Sequence, residues 1–323
     1  MMDGAVAFAF HDLAPGEESF RDAVFAGLAR RPRSLPCKFF YDARGSELFE
    51  EICRVPEYYL TRTETAILEE CADEIADRIG PHCRLIELGS GASRKVRILL
   101  QALDRPAAYV PVDISREHLR EAAAQLAADF PDLPVVAVCA DYTRPFTLPV
   151  LAGPAGKRVG FFPGSTIGNF EPAMVVDFLA HCARLLGPEG EMLVGADLKK
   201  DVDVLDAAYN DRAGANAAFN LNVLERINRE LGADIDIDRF EHVAFYNPNA
   251  GRVELYVKSL ADQTIEIAGR RFEIDRGELI HTENSYKYAI DEFRVLAARA
   301  GFRSGETWTD RGQLFSVHYL RQG

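Results

Sequence analysis

The fold is decided by one stretch of the chain, Leu85-Ile86-Glu87-Leu88-Gly89-Ser90-Gly91-Ala92-Ser93-Arg94-Lys95. Its first four residues predict a short apolar strand, and the residues after Gly91 predict a helix. Glycines at such a turn let a ligand approach the backbone closely, and the start of a helix offers N–H groups to it. The stretch therefore predicts a binding site for a nucleotide-like ligand. The alternative is an ordinary tight turn between a strand and a helix.

The spacing of the glycines separates two kinds of nucleotide ligand. The dinucleotide fingerprint is G-x-G-x-x-G, whereas Gly89 and Gly91 are followed by Arg94 where the third glycine would stand. An NAD(P)-dependent dehydrogenase is therefore the disfavoured alternative. An acidic residue before the first glycine, such as Glu87, resembles the first motif of methyltransferases that use S-adenosylmethionine (SAM).

Two more predicted strands end in polar residues that suit such a donor. Residues 107–113 end in Asp113, and residues 135–140 are followed by Asp141 and Tyr142. A carboxylate at the end of a neighbouring strand can accept both ribose hydroxyls, and an acid beside an aromatic ring suits an adenine. The alternatives are helix capping by Asp113 and loop capping by Asp141.

Strand and helix patterns alternate through residues 83–200, which predicts an α/β, Rossmann-like class I methyltransferase sheet. Residues 1–82 have a mostly helical pattern. A long helix is predicted for residues 204–231, and four segments with alternating polarity then predict an antiparallel sheet. They are residues 241–246, 253–259, 264–267 and 271–274.

These patterns predict a divided chain. We expect a SAM-binding domain of residues 83–200 and 288–323, closed by a helix at 290–300 and strands at 306–309 and 314–320. Residues 201–287 would form a second, smaller α+β substrate domain, to which the helical segment 1–82 contributes.

Composition excludes several classes of partner. The 323 residues carry a net charge of −13, which argues against nucleic acid because that partner requires a basic face. No apolar run approaches the ~18 residues of a membrane span. The six cysteines are scattered without a C-x-x-C pair, which is typical of reduced cysteines in a cytosolic protein. We expect a cytoplasmic monomer.

A second set of polar and aromatic residues predicts a substrate pocket. Asn169 follows the fourth predicted strand, at the edge where α/β sheets bind ligands. Tyr58, Tyr209 and the segment His281–Tyr288 lie outside the nucleotide core. The alternatives are a turn role for Asn169, packing for the tyrosines and a solvated loop for the segment. His281 and Glu283 have no partners at metal-ligand spacing, so we expect no metal.

Five motifs, taken together and in this order, resemble the L-histidine Nα-methyltransferases of ergothioneine biosynthesis. They are Lys38–Ser46, Pro56–Glu64, the glycine turn, Gly164–Asn169 and Thr282–Ser285. The resemblance covers roughly residues 18–321. It implies SAM as the donor and L-histidine as the substrate, methylated three times to hercynine.

The resemblance also implies roles for single residues. Those implied to hold the donor are Gly89, Lys95, Asp113, Asp141 and Tyr142. Those implied to hold histidine are Tyr58, Asn169, Tyr209, Glu283 and Ser285, with Asn169 and Tyr41 in the catalytic roles. A departure occurs at Leu255, where relatives carry Met against the imidazole; the two side chains have similar volumes.

The chemistry requires mainly that a neutral amine be aligned with an activated methyl group. The substrate ammonium must first lose a proton, to water or to a tyrosine hydroxyl, because no histidine is placed as a base. Glu283 suits an imidazole, whereas an indole pocket would be apolar there. The alternatives are an N-methyltransferase of another aromatic amino acid, tryptophan-like, and a non-catalytic SAM-binding module.

Overall fold

The computed structural model describes residues 8–13, 19–91, 94–150 and 156–323. The chain divides into two compact units. The large unit consists of Met1–Gly16, Arg62–Leu198 and Tyr288–Gly323, and the small unit consists of Glu17–Thr61 and Lys199–Lys287.

The described residues form strands and helices that are numbered in chain order. The strands are β1 (Phe8–Asp12), β2 (Arg33–Ser34), β3 (Arg84–Leu88), β4 (Ala108–Asp113), β5 (Val135–Cys139), β6 (Arg158–Phe162), β7 (Glu191–Asp197), β8 (Phe240–Asn247), β9 (Arg252–Ser259), β10 (Gln263–Ile267), β11 (Arg270–Ile274), β12 (Leu279–Tyr286), β13 (Phe302–Thr309) and β14 (Phe315–Gln322). The helices are α1 (Phe20–Ala29), α2 (Ala43–Ile52), α3 (Leu60–Ile79), α4 (Arg94–Ala102), α5 (Arg116–Asp129), α6 (Pro172–Leu186), α7 (Val202–Tyr209), α8 (Ala215–Leu231) and α9 (Ile290–Arg299).

The large unit contains an eight-stranded sheet in the order β1-β5-β4-β3-β6-β7-β14-β13. Its strands are parallel from β1 to β7, and β14 and β13 are antiparallel. The predicted α/β, Rossmann-like fold is confirmed. The chain order reverses at β3, so the loops after β3, β4, β5 and β6 meet at one edge of the sheet, where such sheets bind ligands.

Burial explains why these segments become central strands. The β7 segment is buried along its whole length, and Leu85, Ile86, Val110 and Val112 in β3 and β4 are fully buried. Such continuous apolar runs are typical of parallel strands covered on both faces. Helix α6 begins at Pro172, as expected from the fixed φ of proline in a first turn.

Two features of the first 82 residues differ from the sequence-based expectation. Residues 8–12 form an edge strand that pairs in parallel with β5, rather than a helix. A five-residue segment is too short for its periodicity to separate strand from helix, and its partner lies far along the chain. Residues 1–82 also do not stay together, since residues 17–61 belong to the small unit and residues 62–82 to the large one.

The small unit contains a four-stranded sheet in the order β2-β12-β9-β8 and a separate hairpin of β10 and β11. The predicted antiparallel sheet is confirmed for β8, β9 and β12. Strand β12 itself was not predicted, because the polar run His281–Ser285 hides its alternation. That strand carries Glu283 and Ser285, for which a solvated loop was the alternative.

The single long helix predicted for residues 204–231 was wrong. The chain leaves the helix after Tyr209 and starts α8 at Ala215, following Gly214 with φ +76°. The Asp211 carboxylate accepts hydrogen bonds from the backbone N–H groups of Ala215 (2.9 Å) and Asn216 (2.8 Å). This capping satisfies the first turn of α8 and explains the break.

Candidate functional site

The glycine turn after β3 lies at the carboxyl edge of the large sheet. Gly89 has φ +74°, which favours glycine, and its N–H donates to Val112 O (2.8 Å). A Cβ at Gly89 would lie 3.5 Å from the Tyr142 ring. Tyr142 itself packs against Phe162 and Phe178. The Gly89 turn and the Tyr142 ring therefore border the same space, and a larger residue at position 89 would make that space narrower.

The predicted ribose and adenine acids lie in the next two loops of the same edge. Asp113 ends β4, its Oδ1 accepts the Ser115 N–H (2.8 Å), and burial raises its pKa. Asp141 Oδ1 accepts from the Thr143 N–H (3.0 Å) and hydroxyl (2.6 Å), and Asp141 Oδ2 lies 3.4 Å from Arg144 Nε. Asp141 therefore caps its own loop, the role considered as its alternative.

Glu87 lies inside the sheet, next to the glycine turn. It is 3 % exposed and accepts a hydrogen bond from the Tyr109 hydroxyl. Burial raises the pKa of Glu87 to about 7, and the Tyr109 hydrogen bond opposes this rise. Because its partner is a neighbouring strand residue, Glu87 serves the packing of β3 against β4.

A buried ion pair connects three segments of the large unit. Glu64 of α3 is 0 % exposed, pairs with Lys95 of α4 and accepts the Gly164 N–H at 3.0 and 2.8 Å. A Cβ at Gly195 would lie 2.0 Å from Glu64 Oε1, so a larger residue there would have to displace the carboxylate. The implied donor-binding residue Lys95 is thus held by Glu64, and its contact with a donor stays a prediction.

Asn169 ends the short 3₁₀ turn Thr166–Asn169, in the loop that follows β6. The loop is anchored where Ser165, at φ +57°, accepts the Asp197 N–H through its hydroxyl (2.9 Å). Among the described residues, none makes a hydrogen bond to the Asn169 side chain. The amide has two donors and one acceptor, which makes it available to a ligand at the same edge as Gly89 and Asp113.

The predicted tyrosines of the small unit belong to one aromatic cluster. Tyr41 packs edge-on against Phe49 (ring centroids 5.6 Å apart) and Phe219 (5.5 Å). Tyr58 packs edge-on against Phe49 (6.4 Å) and Tyr209 (6.1 Å). Burial raises the pKa of Tyr58 well above its usual value. The structure thus brings Tyr41, Tyr58 and Tyr209 together, from segments far apart in the sequence.

Two polar side chains, Ser285 and Lys287, meet the Tyr209 hydroxyl at the end of β12. The Tyr209 and Ser285 hydroxyls are 2.7 Å apart, and Lys287 Nζ donates to both, at 2.8 and 2.9 Å. Burial raises the pKa of Glu283 to about 7, against the lowering effect of the Lys287 charge. None of the described residues donates a hydrogen bond to the Glu283 carboxylate.

The strand register places Leu255 beside this acid. Leu255 is directly opposite Glu283 in the antiparallel pair of β9 and β12 and is 3 % exposed. Opposite residues of an antiparallel pair share one face of the sheet. The position singled out as a departure from the family is therefore a neighbour of Glu283.

Sequence reasoning missed two residues of these clusters. Glu64 was named only as the end of the motif Pro56–Glu64, and its pairing with Lys95 joins distant segments. Lys287 stood in a segment already singled out, but a lysine between two tyrosines gave no sign that it is 1 % exposed. Only the fold reveals such burial, because lysine is normally a surface residue.

Two searches of the described residues bear on other classes of site. No group of three or more His, Cys, Asp or Glu side chains within the described ranges could hold a metal ion. In the same part of the chain, no helix combines the length and apolar character that crossing a membrane requires. The six cysteines, all within described ranges, form no disulfide.

Comparisons with known proteins show which family the chain resembles. A family model described as histidine-specific methyltransferase, SAM-dependent, matches residues 20–322. The chain is 42% identical to histidine N-alpha-methyltransferase of Mycolicibacterium smegmatis over 299 residues, covering 91% of this chain and 92% of that protein. It is 38% identical to histidine N-alpha-methyltransferase of Mycobacterium tuberculosis over 310 residues, covering 94% of each. Among solved structures, the CcbJ methyltransferase of Streptomyces caelestis matches with a TM-score of 0.45 and 14% identity, over 79% of this chain and 90% of that one.

Proposed function

Because the chain belongs to the family of histidine-specific, SAM-dependent methyltransferases, we propose that it methylates the α-amino group of L-histidine three times. The product would be hercynine, and the reaction would be a step of ergothioneine biosynthesis. The family and the two mycobacterial relatives support the donor, the substrate and the class of reaction.

The observation that carries the choice of histidine is the environment of Glu283. This carboxyl is half-buried, its pKa is raised to about 7, and no described residue donates to it. A buried acceptor without a donor is costly. An imidazole supplies the missing donor through one ring N–H and keeps a second, polar ring nitrogen for another partner, whereas an indole has its single N–H on a larger apolar surface.

The donor residues of the large unit fit SAM. The absence of a side chain at Gly89 leaves space between the turn and the Tyr142 ring for a ligand. Asp113 offers a carboxylate at the end of the neighbouring strand. SAM supplies a methyl group already activated on a sulfonium. The remaining requirement is that the chain hold the amine in line with it. We assign this alignment to the Asn169 amide and to Tyr41.

The proton of the substrate ammonium must leave before the first transfer. Burial keeps the pKa of Tyr58 far above neutral, so this phenol stays protonated and acts as a hydrogen-bond donor or acceptor. We therefore assign proton removal to water that reaches the amine. No step requires a metal or a covalent intermediate. We further propose a cytoplasmic monomer, in keeping with six cysteines outside disulfides.

The experiment is mass spectrometry of amino acids incubated with the protein and SAM. We expect histidine to gain one, two and then three methyl groups. The Asn169→Ala variant should bind SAM but lose methylation, while Asn249→Ala, at an exposed turn, serves as the matched control.

Each other outcome identifies an alternative. Methylation of tryptophan in place of histidine would indicate a different aromatic substrate. Calorimetric binding of SAM without any product would indicate a non-catalytic module, and binding of NAD instead of SAM would indicate a dehydrogenase.

A further inference from the structure

Lys287 is a buried cation beside two residues of the predicted substrate pocket, Tyr209 and Ser285. It follows β12 directly, and its side chain is among the largest that are fully buried, at 1 % exposure. Its ammonium lies 4.8 Å from the centre of the Tyr209 ring. Burying an ammonium costs several kcal/mol unless charge and hydrogen bonds compensate it.

The hydrogen-bond directions around Lys287 follow from its chemistry. An ammonium has three donors and no acceptor, so the Tyr209 and Ser285 oxygens both accept from Nζ. These oxygens are 2.7 Å apart, so one hydroxyl also donates to the other. Whichever hydroxyl does so, the hydrogen of the second one is directed away from the ammonium. Lys287 thus turns this corner of the pocket into a donor surface with a positive charge behind it.

The opposite charge lies two residues before Ser285 on the same strand. Glu283 feels the Lys287 charge, which lowers its pKa against the effect of burial. An acid, Glu283 on β12, and a cation, Lys287 directly after β12, therefore lie close together along the chain. An amino acid whose side chain carries N–H donors presents the complementary pair, a carboxylate and a hydrogen-bond donor.

We propose that Lys287 is a positioning residue that makes the pocket select substrates carrying a free α-carboxylate. Lys287 acts by making the Tyr209 and Ser285 oxygens its acceptors, so that one of the two hydroxyls keeps its hydrogen for the substrate, and by placing a positive charge behind them. This inference rests on the proposed function, because the α-carboxylate is that of the amino acid to be methylated.

The backbone of Lys287 has a separate structural role. Its N–H donates to Gly251 O (2.9 Å), which joins the end of β12 to the turn before β9. A side-chain substitution leaves this hydrogen bond in place. Lys287→Met keeps a similar length and removes the charge, and replacing buried charged groups by apolar ones of similar volume is often tolerated. Lys258→Met, a half-exposed lysine of β9 paired with Glu241 (2.8 Å), is the matched control.

The test compares histidine with histidinamide, which lacks the carboxylate, in steady-state methylation assays. We expect Lys287→Met to raise KM for histidine about tenfold with a smaller change in kcat, since a charge-assisted interaction is lost. KM for histidinamide should hardly change, so the preference for histidine should fall by the same factor. Lys287→Arg, which keeps the charge, should retain part of the preference. The Kd for SAM and all values for Lys258→Met should match the parent.

Three results would overturn the inference. An unchanged histidine-to-histidinamide ratio in a folded Lys287→Met protein would remove Lys287 from recognition. An equal loss for both substrates, together with a lower Tm, would show a purely structural lysine. If Lys287→Met does not fold, Tyr209→Phe removes one of the two hydroxyls, and an unchanged ratio there contradicts the inference equally. A parent protein that neither binds nor methylates histidine would instead refute the proposed function, and this inference with it.

Discussion

Each unit of the molecule holds a glutamate that is buried, fully for Glu64 and in part for Glu283, and the two have opposite surroundings. Glu64 in the large unit pairs with Lys95 and accepts the Gly164 N–H, with Gly195 leaving the space it needs. Glu283 in the small unit receives no hydrogen bond from the described residues, and burial raises its pKa to about 7.

The difference separates a structural acid from a binding acid. A buried charge that the protein itself compensates contributes to the fold, and removing one partner leaves the other uncompensated. A buried carboxyl without a donor costs stability, and a ligand that supplies the donor recovers that cost. We therefore expect changes at Glu64 to affect stability and changes at Glu283 to affect recognition.

The largest effect is expected from Glu64→Ala. Removing this acid leaves the Lys95 ammonium, only 16 % exposed, without its partner and the Gly164 N–H without its acceptor, so the variant should lose about 3 kcal/mol of unfolding free energy. Chemical denaturation followed by circular dichroism measures the loss. Glu69→Ala, exposed on the same helix, is the control and should stay within about 0.5 kcal/mol of the parent. A Glu64→Ala protein as stable as this control would contradict the assignment of Glu64 as a structural acid, in contrast to Glu283.

A smaller loss is expected when the space around Glu64 is filled. A Cβ at Gly195 would lie 2.0 Å from Glu64 Oε1, so Gly195→Ala must displace the carboxylate. We expect a destabilisation of about 2–3 kcal/mol, the range of overpacked cores. At Gly91 no atom of the described residues lies within 4 Å of the position that a Cβ would take, so Gly91→Ala should unfold like the parent. Equal unfolding midpoints for Gly195→Ala and Gly91→Ala would show that the Glu64 carboxylate can move at little cost in stability.

The third prediction concerns Glu283, where removing the acid should raise the stability of the protein instead of lowering it. A carboxyl whose folded pKa is raised from 4.5 to about 7 binds its proton more tightly when folded. Its contribution to stability is therefore fully present below pH 4.5 and is lost as the pH rises to 7. Glu283→Gln should be more stable than the parent above pH 7, by about 1–2 kcal/mol, and equal to it near pH 4.

Thermal unfolding of both proteins between pH 4 and pH 8 checks this sign. The pKa of Glu87 is also raised to about 7, so Glu87 also makes stability fall as the pH rises. Because both proteins contain Glu87, its effect cancels when their stabilities are compared. A Glu283→Gln protein less stable than the parent at pH 8 would mean that the carboxylate has donors of its own.

The smallest predicted effect concerns the donor site. Asp113→Ala should weaken SAM binding by more than ~1 kcal/mol, because a charge-assisted hydrogen bond is lost. Glu283→Ala should bind SAM as the parent does. Isothermal titration calorimetry measures both values. Unchanged SAM affinity in folded Asp113→Ala would leave Asp113 with only its hydrogen bond to the Ser115 N–H.

The two units also differ in how far the sequence predicts them. In the large unit, the Gly89 turn and the position of Asp113 are local signals, since each follows from one strand and its end. In the small unit, the segment with Glu283 and Ser285 was singled out by its polar and aromatic residues, but the roles of these two residues came only from a resemblance. Their strand has a polar run, and their partners Tyr209 and Lys287 are brought to them by the fold. The same holds for Glu64, whose partner lies on another helix.

The most direct test of the account is the kcat/KM of histidine and of tryptophan, measured in the parent and in Glu283→Ala. If the Glu283 carboxyl accepts the N–H of the substrate imidazole, the parent should prefer histidine strongly. The variant should lose about 1–3 kcal/mol of that preference, mainly through weaker use of histidine. The same preference in both proteins, with the fold intact, would contradict the account.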